Sequence, residues 1–262
     1  MSVSPSFTTQ WIAHFQCNAE HRPTPRWHTT CRIPGTIQPA LRRWAQDLEY
    51  AIGHGPGRLI SRHATSCLAR DPDLAQVIEA WLAEEKSHAD LLRQLRLRCG
   101  DASSPAAAVS WTLPLFLFMR RVVAFEQELQ ILSLSELAGS VSCWLLLRHL
   151  PDPALRDVCT LMLRDGRGHL AFHAELLRQR AQQERHAVGS SDHQRRIQLA
   201  GLGAAAALWF AHRGLFQSLN LSASDFFSEA RHQIRQHLRR LQPDVTPPRH
   251  PAHLPEWTLS EV

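Results

Sequence analysis

The stretch AWLAEEKSHADLL, residues 80–92, lies in a helical pattern whose apolar positions recur every three or four residues. Its apolar stripe also carries Glu85 and His88, at positions where an ordinary core helix is hydrophobic. Residues three apart on a helix lie on the same face, with Cβ atoms about 5–6 Å apart. A carboxylate and an imidazole placed in this way can bind one metal ion together.

A second stretch, MLRDGRGHLAFH at 162–173, shows the same anomaly in a later helix. Asp165 and His169 lie on its apolar stripe. Gly166 and Gly168 interrupt the stripe, although each glycine in the middle of a helix costs about 1 kcal/mol relative to alanine. A local requirement other than helix stability is therefore expected at this point.

Polar groups lie on the buried stripes of three helices in all, because Glu136 occupies a similar position in the helical segment between these two. Buried charges are costly unless they are paired or bind a metal. The side chains expected to converge are Glu85, His88, Glu136, Asp165 and His169. Two interpretations stay open, a metal centre and a buried polar network without metal.

The composition predicts an all-α protein. The chain has 262 residues, 44% of them hydrophobic and 20% charged, and the alternation typical of strands is nearly absent. Four long helices are expected at about 37–69, 71–99, 107–149 and 152–185, the first of them interrupted or bent at 53–57, and two shorter ones at 194–218 and 223–241. Long helices joined by short loops predict an antiparallel four-helix bundle with two additional C-terminal helices.

Three regions are expected along the chain. Residues 1–35 contain proline and tryptophan and are predicted to form an irregular N-terminal arm. The helical domain is predicted over 36–241, and the proline-rich segment 242–262 is expected to be poorly ordered.

Charge and cysteine content restrict the class of protein. The net charge is +5, but arginines are scattered over every helix, which argues against a nucleic-acid partner. The six cysteines form no C-x-x-C pair, and Cys67, Cys143 and Cys159 lie in apolar helical stretches, which indicates buried free thiols in a reducing compartment. No secretory signal is recognised, and the longest apolar run, at 199–211, is shorter than the roughly 20 residues that span a bilayer. A cytoplasmic location without a transmembrane segment is therefore predicted.

These segments resemble the ferritin-like di-iron carboxylate superfamily, and in particular bacterial ferritin-like proteins of the iron-containing oxidase type. In that pattern, successive helices supply Glu, Glu-x-x-His, Glu and Glu-x-x-His to a metal site in the bundle core. Residues 80–92 match the second-helix motif, while 131–144 and 163–173 resemble the third and fourth helices. The likeness extends over about residues 10–240.

The sequence departs from that pattern at two of the expected carboxylates. Gly166 stands where the fourth helix of the family has glutamate, and His54 or Gly55 stands where the first helix has its acid. The metal ligands that the resemblance implies are therefore Glu85, His88, Glu136 and His169, with Asp165 and His54 as substitutes.

The resemblance implies a metal-binding protein that activates dioxygen to oxidise a small organic substrate. The cofactor implied is one or two iron ions, with manganese or zinc as alternatives, and the incomplete ligand set favours a single ion. A homodimer is compatible with this class. The alternative is a non-catalytic bundle in which the metal site has decayed and the former active-site cavity binds a partner or a small molecule.

Overall fold

The computed structural model describes residues 5–54, 59–100, 110–184 and 191–241. Over these residues the chain is all-helical and contains no strand, so the all-α prediction is confirmed. The helices are α1 (Pro5–Glu20), α2 (Gln38–His54), α3 (Arg62–Arg70), α4 (Pro72–Arg98), α5 (Thr112–Val122), α6 (Phe125–His149), α7 (Pro153–Glu184), α8 (Ser191–Ser218) and α9 (Ala223–Arg240).

Two Asp-Pro pairs begin the helices that carry the candidate site. The Asp71 side chain accepts a hydrogen bond from the backbone N–H of Leu74 at 3.0 Å, and α4 starts at the following proline. Asp152 accepts from the N–H of Leu155 at 2.9 Å and begins α7 in the same way. An acidic N-cap followed by proline is a strong helix start, and these two starts agree with the prediction.

The N-terminal arm is helical, so the prediction of an irregular segment over 1–35 is wrong for residues 5–20. Phe7, Trp11 and Phe15 recur every four residues and are 1%, 2% and 3% exposed. All three rings contact Phe172 of α7, with centroids 5.4–5.9 Å apart. Burial of this aromatic face stabilises α1 against the bundle, whereas the prolines around it had suggested a loop.

Two of the long helices predicted from the sequence are each divided. The segment 37–69 contains α2 and α3, and part of the interruption or bend predicted at 53–57 lies outside the described residues. The segment 107–149 contains α5 and α6, because Val123 and Ala124 take extended backbone angles with ψ of 165°.

A buried ion pair accounts for the second break. Arg120 of α5 lies 2.7 Å from Glu128 of α6, and neither side chain is exposed. Glu128 also accepts hydrogen bonds from the backbone N–H groups of Ile60 and Ser61, at 2.9 and 3.0 Å. The turn at 123–124 lets α5 fold back so that Arg120 reaches this carboxylate.

The helices pack so that the anomalous stripes face one another. Helix α2 contacts α4, α6 contacts α7, and α4 contacts α7, while α8 and α9 pack against α6. Helix α1 packs against α4, so the N-terminal segment belongs to the same packed body as the domain predicted over 36–241. The tail at 242–262 and the side chain of His54 lie outside the described residues.

Two helices are long and apolar enough to cross a membrane by length and composition alone. They are α6 (Phe125–His149), whose apolar window is 67% buried, and the Gln194–Ser218 portion of α8, whose window is 33% buried. The uninterrupted apolar run at 199–211 covers only part of this second helix, so a prediction from that run alone underestimates the helix length. Core helices of water-soluble proteins pass the same test, and a membrane location does not follow from it.

The buried histidine His237 predicts acid sensitivity of the fold. Burial, with a smaller effect of Arg240, lowers the pKa of His237 to about 4. The folded protein therefore keeps this ring neutral, and the stability it contributes is present above the unfolded pKa near 6.5 and lost as the pH falls toward 4. Between about pH 7 and pH 5 we expect this group to reduce the free energy of unfolding by about 1–2 kcal/mol.

Denaturant unfolding at both pH values checks this expectation. The variant His237→Gln removes the titrating group and is expected to show a smaller loss than the wild type. His232→Gln changes an exposed histidine of the same helix and serves as the matched control. An unchanged pH dependence in His237→Gln would contradict the expectation.

Candidate metal centre

Three buried side chains meet where α4 faces α7. Glu85 and His88 of α4 and His169 of α7 each offer one ligand atom, and these atoms all lie within 4.8 Å of one another. The three residues are 1%, 1% and 0% exposed. The three-residue spacing on α4 places Glu85 and His88 on one helix face, as the sequence predicted.

Glu136 of α6, a fourth of the five side chains predicted to converge, lies beside these three. Its Oε2 lies 3.8 Å from Nδ1 of His169, and its side chain is 19% exposed. It therefore stands at the edge of the buried cluster, in reach of an ion held by the other three.

Side chains from neighbouring helices occupy the space beside both glycines of α7. A Cβ atom at Gly166 would collide with Oε1 of Glu136 and lie 3.4 Å from the hydroxyl of Ser140. A Cβ atom at Gly168 would lie 2.6 Å from Nε2 of His14 on α1. Position 166 thus faces Glu136 at the edge of the candidate centre.

Asp165 takes a different place from the one predicted for a substitute ligand. Its Oδ2 lies 3.0 Å from Nε2 of His88 and 2.8 Å from the Arg22 guanidinium. Its Oδ1 lies 2.8 Å from Arg164. Asp165 is therefore a partner of His88 and of two arginines, outside the group of three ligand atoms.

Sequence reasoning missed two members of this network. Glu84 lies on the α4 stripe directly before Glu85, and its Oε2 lies 3.0 Å from Nε2 of His169. Its other oxygen lies 2.6 Å from Arg22. The stripe position of Glu84 was a usable signal, whereas Arg22 follows the end of α1 and has no periodic pattern that could have identified it.

Each histidine has one ring nitrogen held by a carboxylate, His88 by Asp165 and His169 by Glu84. Metal-binding histidines in proteins generally have this kind of partner, which fixes the tautomer and the orientation of the ring. Arg22 bridges the two carboxylates and so holds both partners in place.

The inner atoms of the cluster lack hydrogen bonds. Oε1 of Glu85 and Nδ1 of His169 form an ion pair at 2.8 Å, but within the described part of the chain the contact lacks hydrogen-bond geometry. Buried polar atoms are nearly always paired, and an unpaired one calls for an explanation. A common metal ion bound by both atoms would explain why they lie close together without a hydrogen bond. These residues therefore fit a bound metal.

The electrostatics of the site favour a positive charge at its centre. Burial lowers the pKa of His169, but the carboxylates of Glu85, Glu136 and Glu84 outweigh it and raise that pKa well above its ordinary value. For Glu85 the effects have the opposite signs. Burial raises the pKa of this carboxyl, but the nearby His169 has the larger effect and lowers the pKa below its ordinary value. The carboxylates of the cluster therefore favour a positive charge at its centre, either the proton on His169 or a bound metal cation that replaces this proton.

A large apolar cavity lies beside the cluster. Its volume is about 510 Å³, and its walls come from α2, α5, α6 and α8, the segment before α5, and Met162 of α7. Glu136 belongs both to this wall and to the neighbourhood of His169. Ligand pockets of proteins commonly have volumes of about 300–1,000 Å³ and mostly apolar walls.

Comparison of the chain with protein-family models, with curated proteins and with solved structures finds no match. The fold and the site therefore define the protein only by its architecture and its candidate metal ligands. The chain is an all-α protein with a candidate metal centre formed by Glu85, His88 and His169.

Proposed function

We propose that this chain is a ferritin-like, metal-dependent oxidoreductase that holds one iron ion and oxidises a small apolar substrate. Iron(II) would be held by Glu85, His88 and His169, with Glu136 as a further ligand at the edge. Bound iron(II) supplies the capacity to activate dioxygen. The alternative metals are manganese and zinc, which accept the same oxygen and nitrogen ligands.

The observation that carries this proposal is the composition of the cluster. Two histidines and one carboxylate converge in a buried site, which is the ligand set of many non-haem iron(II) oxygenases. Two further observations support an iron site next to a substrate cavity. Oε1 of Glu85 and Nδ1 of His169 have no hydrogen bond among the described residues, and the apolar cavity adjoins the cluster.

A single ion fits the surrounding residues better than a pair. Gly166 leaves no carboxylate at the position where a ferritin-like fourth helix has glutamate. The Arg22 guanidinium also lies between Glu84 and Asp165 and forms ion pairs with both. These two carboxylates are therefore already neutralised and do not serve as ligands of a second cation.

The other residues of the site have supporting roles. Glu84 and Asp165 orient the two histidines, and Arg22 holds these carboxylates. Trp81 and Phe15 pack around the His169 ring with centroids 6.2 and 6.1 Å away, and this excludes water from one side. A substrate would approach from the side of Glu136, where the cavity lies.

A second candidate function is a non-catalytic binding protein. The ion pairs of Arg22 favour it, because with a protonated His169 they would balance much of the buried negative charge without a metal. In that case the apolar cavity would still bind a ligand, but metal would have no effect on the chain.

Nitric oxide binding to the iron-loaded protein distinguishes the two functions. After anaerobic loading with iron(II), we expect nitric oxide to give the half-integer-spin electron paramagnetic resonance signal of a mononuclear iron centre with an open coordination position. His169→Gln is expected to lose the signal. His63→Gln, which changes an exposed histidine, should keep it. Absence of the signal in the wild type would support the non-catalytic protein.

A further inference from the structure

The apolar cavity contains a polar pair that the proposed iron site does not use. Asp47 of α2 and His212 of α8 both line it. Oδ2 of Asp47 lies 3.5 Å from Nε2 of His212 but forms no hydrogen bond with any of the described residues, although Asp47 is only 2% exposed. A buried carboxylate oxygen without a donor is costly, so a ligand group is expected to supply one.

The local structure keeps this pair in the wall. Oδ1 of Asp47 accepts a hydrogen bond from the backbone N–H of Ser110 at 3.2 Å, which orients the carboxylate. Helix α8 leaves helical geometry at His212, with φ −125° and ψ 18°. The carboxylate is thus held by a backbone hydrogen bond, and the imidazole lies at the kink of α8.

Most of the remaining wall is apolar and is made roomy by small side chains, although the hydroxyls of Thr112, Ser135 and Ser140 and the Glu136 carboxylate also line it. On α8 the lining residues are Ala200, Gly203, Ala204, Ala207, Leu208 and Ala211. A Cβ atom added at Gly203, or at Gly139 on the facing wall from α6, would meet nothing within 4 Å. The lining of α6 runs from Ile131 to Cys143, a rise of about 18 Å at 1.5 Å per residue.

The charges near the pair favour a neutral polar group. Burial, with a smaller effect of Arg43, lowers the pKa of His212 to about 4, so its ring is neutral at pH 7 and has both a donor and an acceptor. A ligand hydroxyl can donate to Asp47 and accept from the imidazole. A ligand carboxylate would be repelled by Asp47, and a purely apolar ligand would leave Oδ2 unpaired.

We infer that the cavity binds a linear aliphatic alcohol, with its hydroxyl between Asp47 and His212 and its chain along the apolar wall that Glu136 also lines. The assignment of this molecule as the substrate rests on the function proposed above. Binding itself requires only the cavity and the polar pair, and it can be measured without metal.

The test is displacement of the fluorescent probe N-phenylnaphthylamine from chelator-treated protein by decanol, decanoate and decane at neutral pH. We expect decanol to bind about tenfold more tightly than either competitor, the ratio that one net hydrogen bond of about 1.4 kcal/mol supplies. Equal affinities for decanol and decane, or tighter binding of decanoate, would overturn the assignment of the hydroxyl. No displacement by any of the three would overturn the site.

Matched glycine variants locate the binding. Gly203→Leu fills the open space in the wall and is expected to weaken decanol binding at least about tenfold. Gly214→Leu places the same side chain on an exposed part of α8 that does not line the cavity, and it should leave binding unchanged. Equal affinities in the two variants would place the alcohol elsewhere. Because the protein is metal-free, a failure here is distinct from a failure of the iron site.

Discussion

Replacing Gly166 with glutamate is expected to destabilise the metal-free protein and to make its stability strongly dependent on added iron(II) or manganese(II). Loss of a mid-helix glycine gains about 0.5–1 kcal/mol of helix propensity. The new Cβ collides with Oε1 of Glu136, however, and a further carboxylate joins those of Glu85 and Glu136. Crowding like charges in a buried site costs several kcal/mol without a cation.

A metal that binds only the folded variant reverses this loss, by about 2.7 kcal/mol at a concentration one hundred times its dissociation constant. Thermal melts with and without metal measure the effect. Gly166→Gln has the same size without the charge, so its response to metal should not exceed that of the wild type. A melting temperature of Gly166→Glu that metal does not raise would show that position 166 does not face an ion.

The second large effect is expected at the buried ion pair between α5 and α6. Arg120→Met leaves Glu128 with a buried charge and without its cation, and breaking such a pair typically costs about 3–5 kcal/mol. The loss should appear in the free energy of unfolding from denaturant titration. The double variant Arg120→Met with Glu128→Gln removes the charge as well and should recover a large part of it.

An exposed pair provides the comparison for this prediction. Arg93 lies 2.9 Å from Asp90, but both side chains are more than half exposed. Arg93→Met should therefore change the stability little, because water screens the interaction. If Arg120→Met were no more destabilising than Arg93→Met, the buried pair would not hold α5 and the 60–61 segment to the bundle.

The residues of the cluster could be predicted because helical phase is a local property of the sequence. Glu85, His88 and His169 each interrupt an apolar stripe, and buried stripes must face one another in an all-α protein. The glycine at 166 was anomalous by itself, and it marked the close approach of Glu136.

Contacts made by irregular segments could not be predicted in the same way. Arg22 reaches the site from the link after α1, and the break at 123–124 depends on a tertiary ion pair. The cavity arises where α8 lies beside α2, α5 and α6, and its polar pair joins residues far apart in sequence. The ferritin-like arrangement, the homodimer and the cytoplasmic location stay predictions.

The most direct test of the central claim is the metal content per chain. Protein incubated anaerobically with excess iron(II), freed of unbound metal by gel filtration and measured by elemental analysis should retain about one ion, as a single three-residue ligand set predicts. His169→Gln, confirmed as folded by circular dichroism, should retain almost none, whereas His63→Gln should match the wild type. Two tightly held ions, or none, in the wild-type chain would contradict a mononuclear centre at Glu85, His88 and His169.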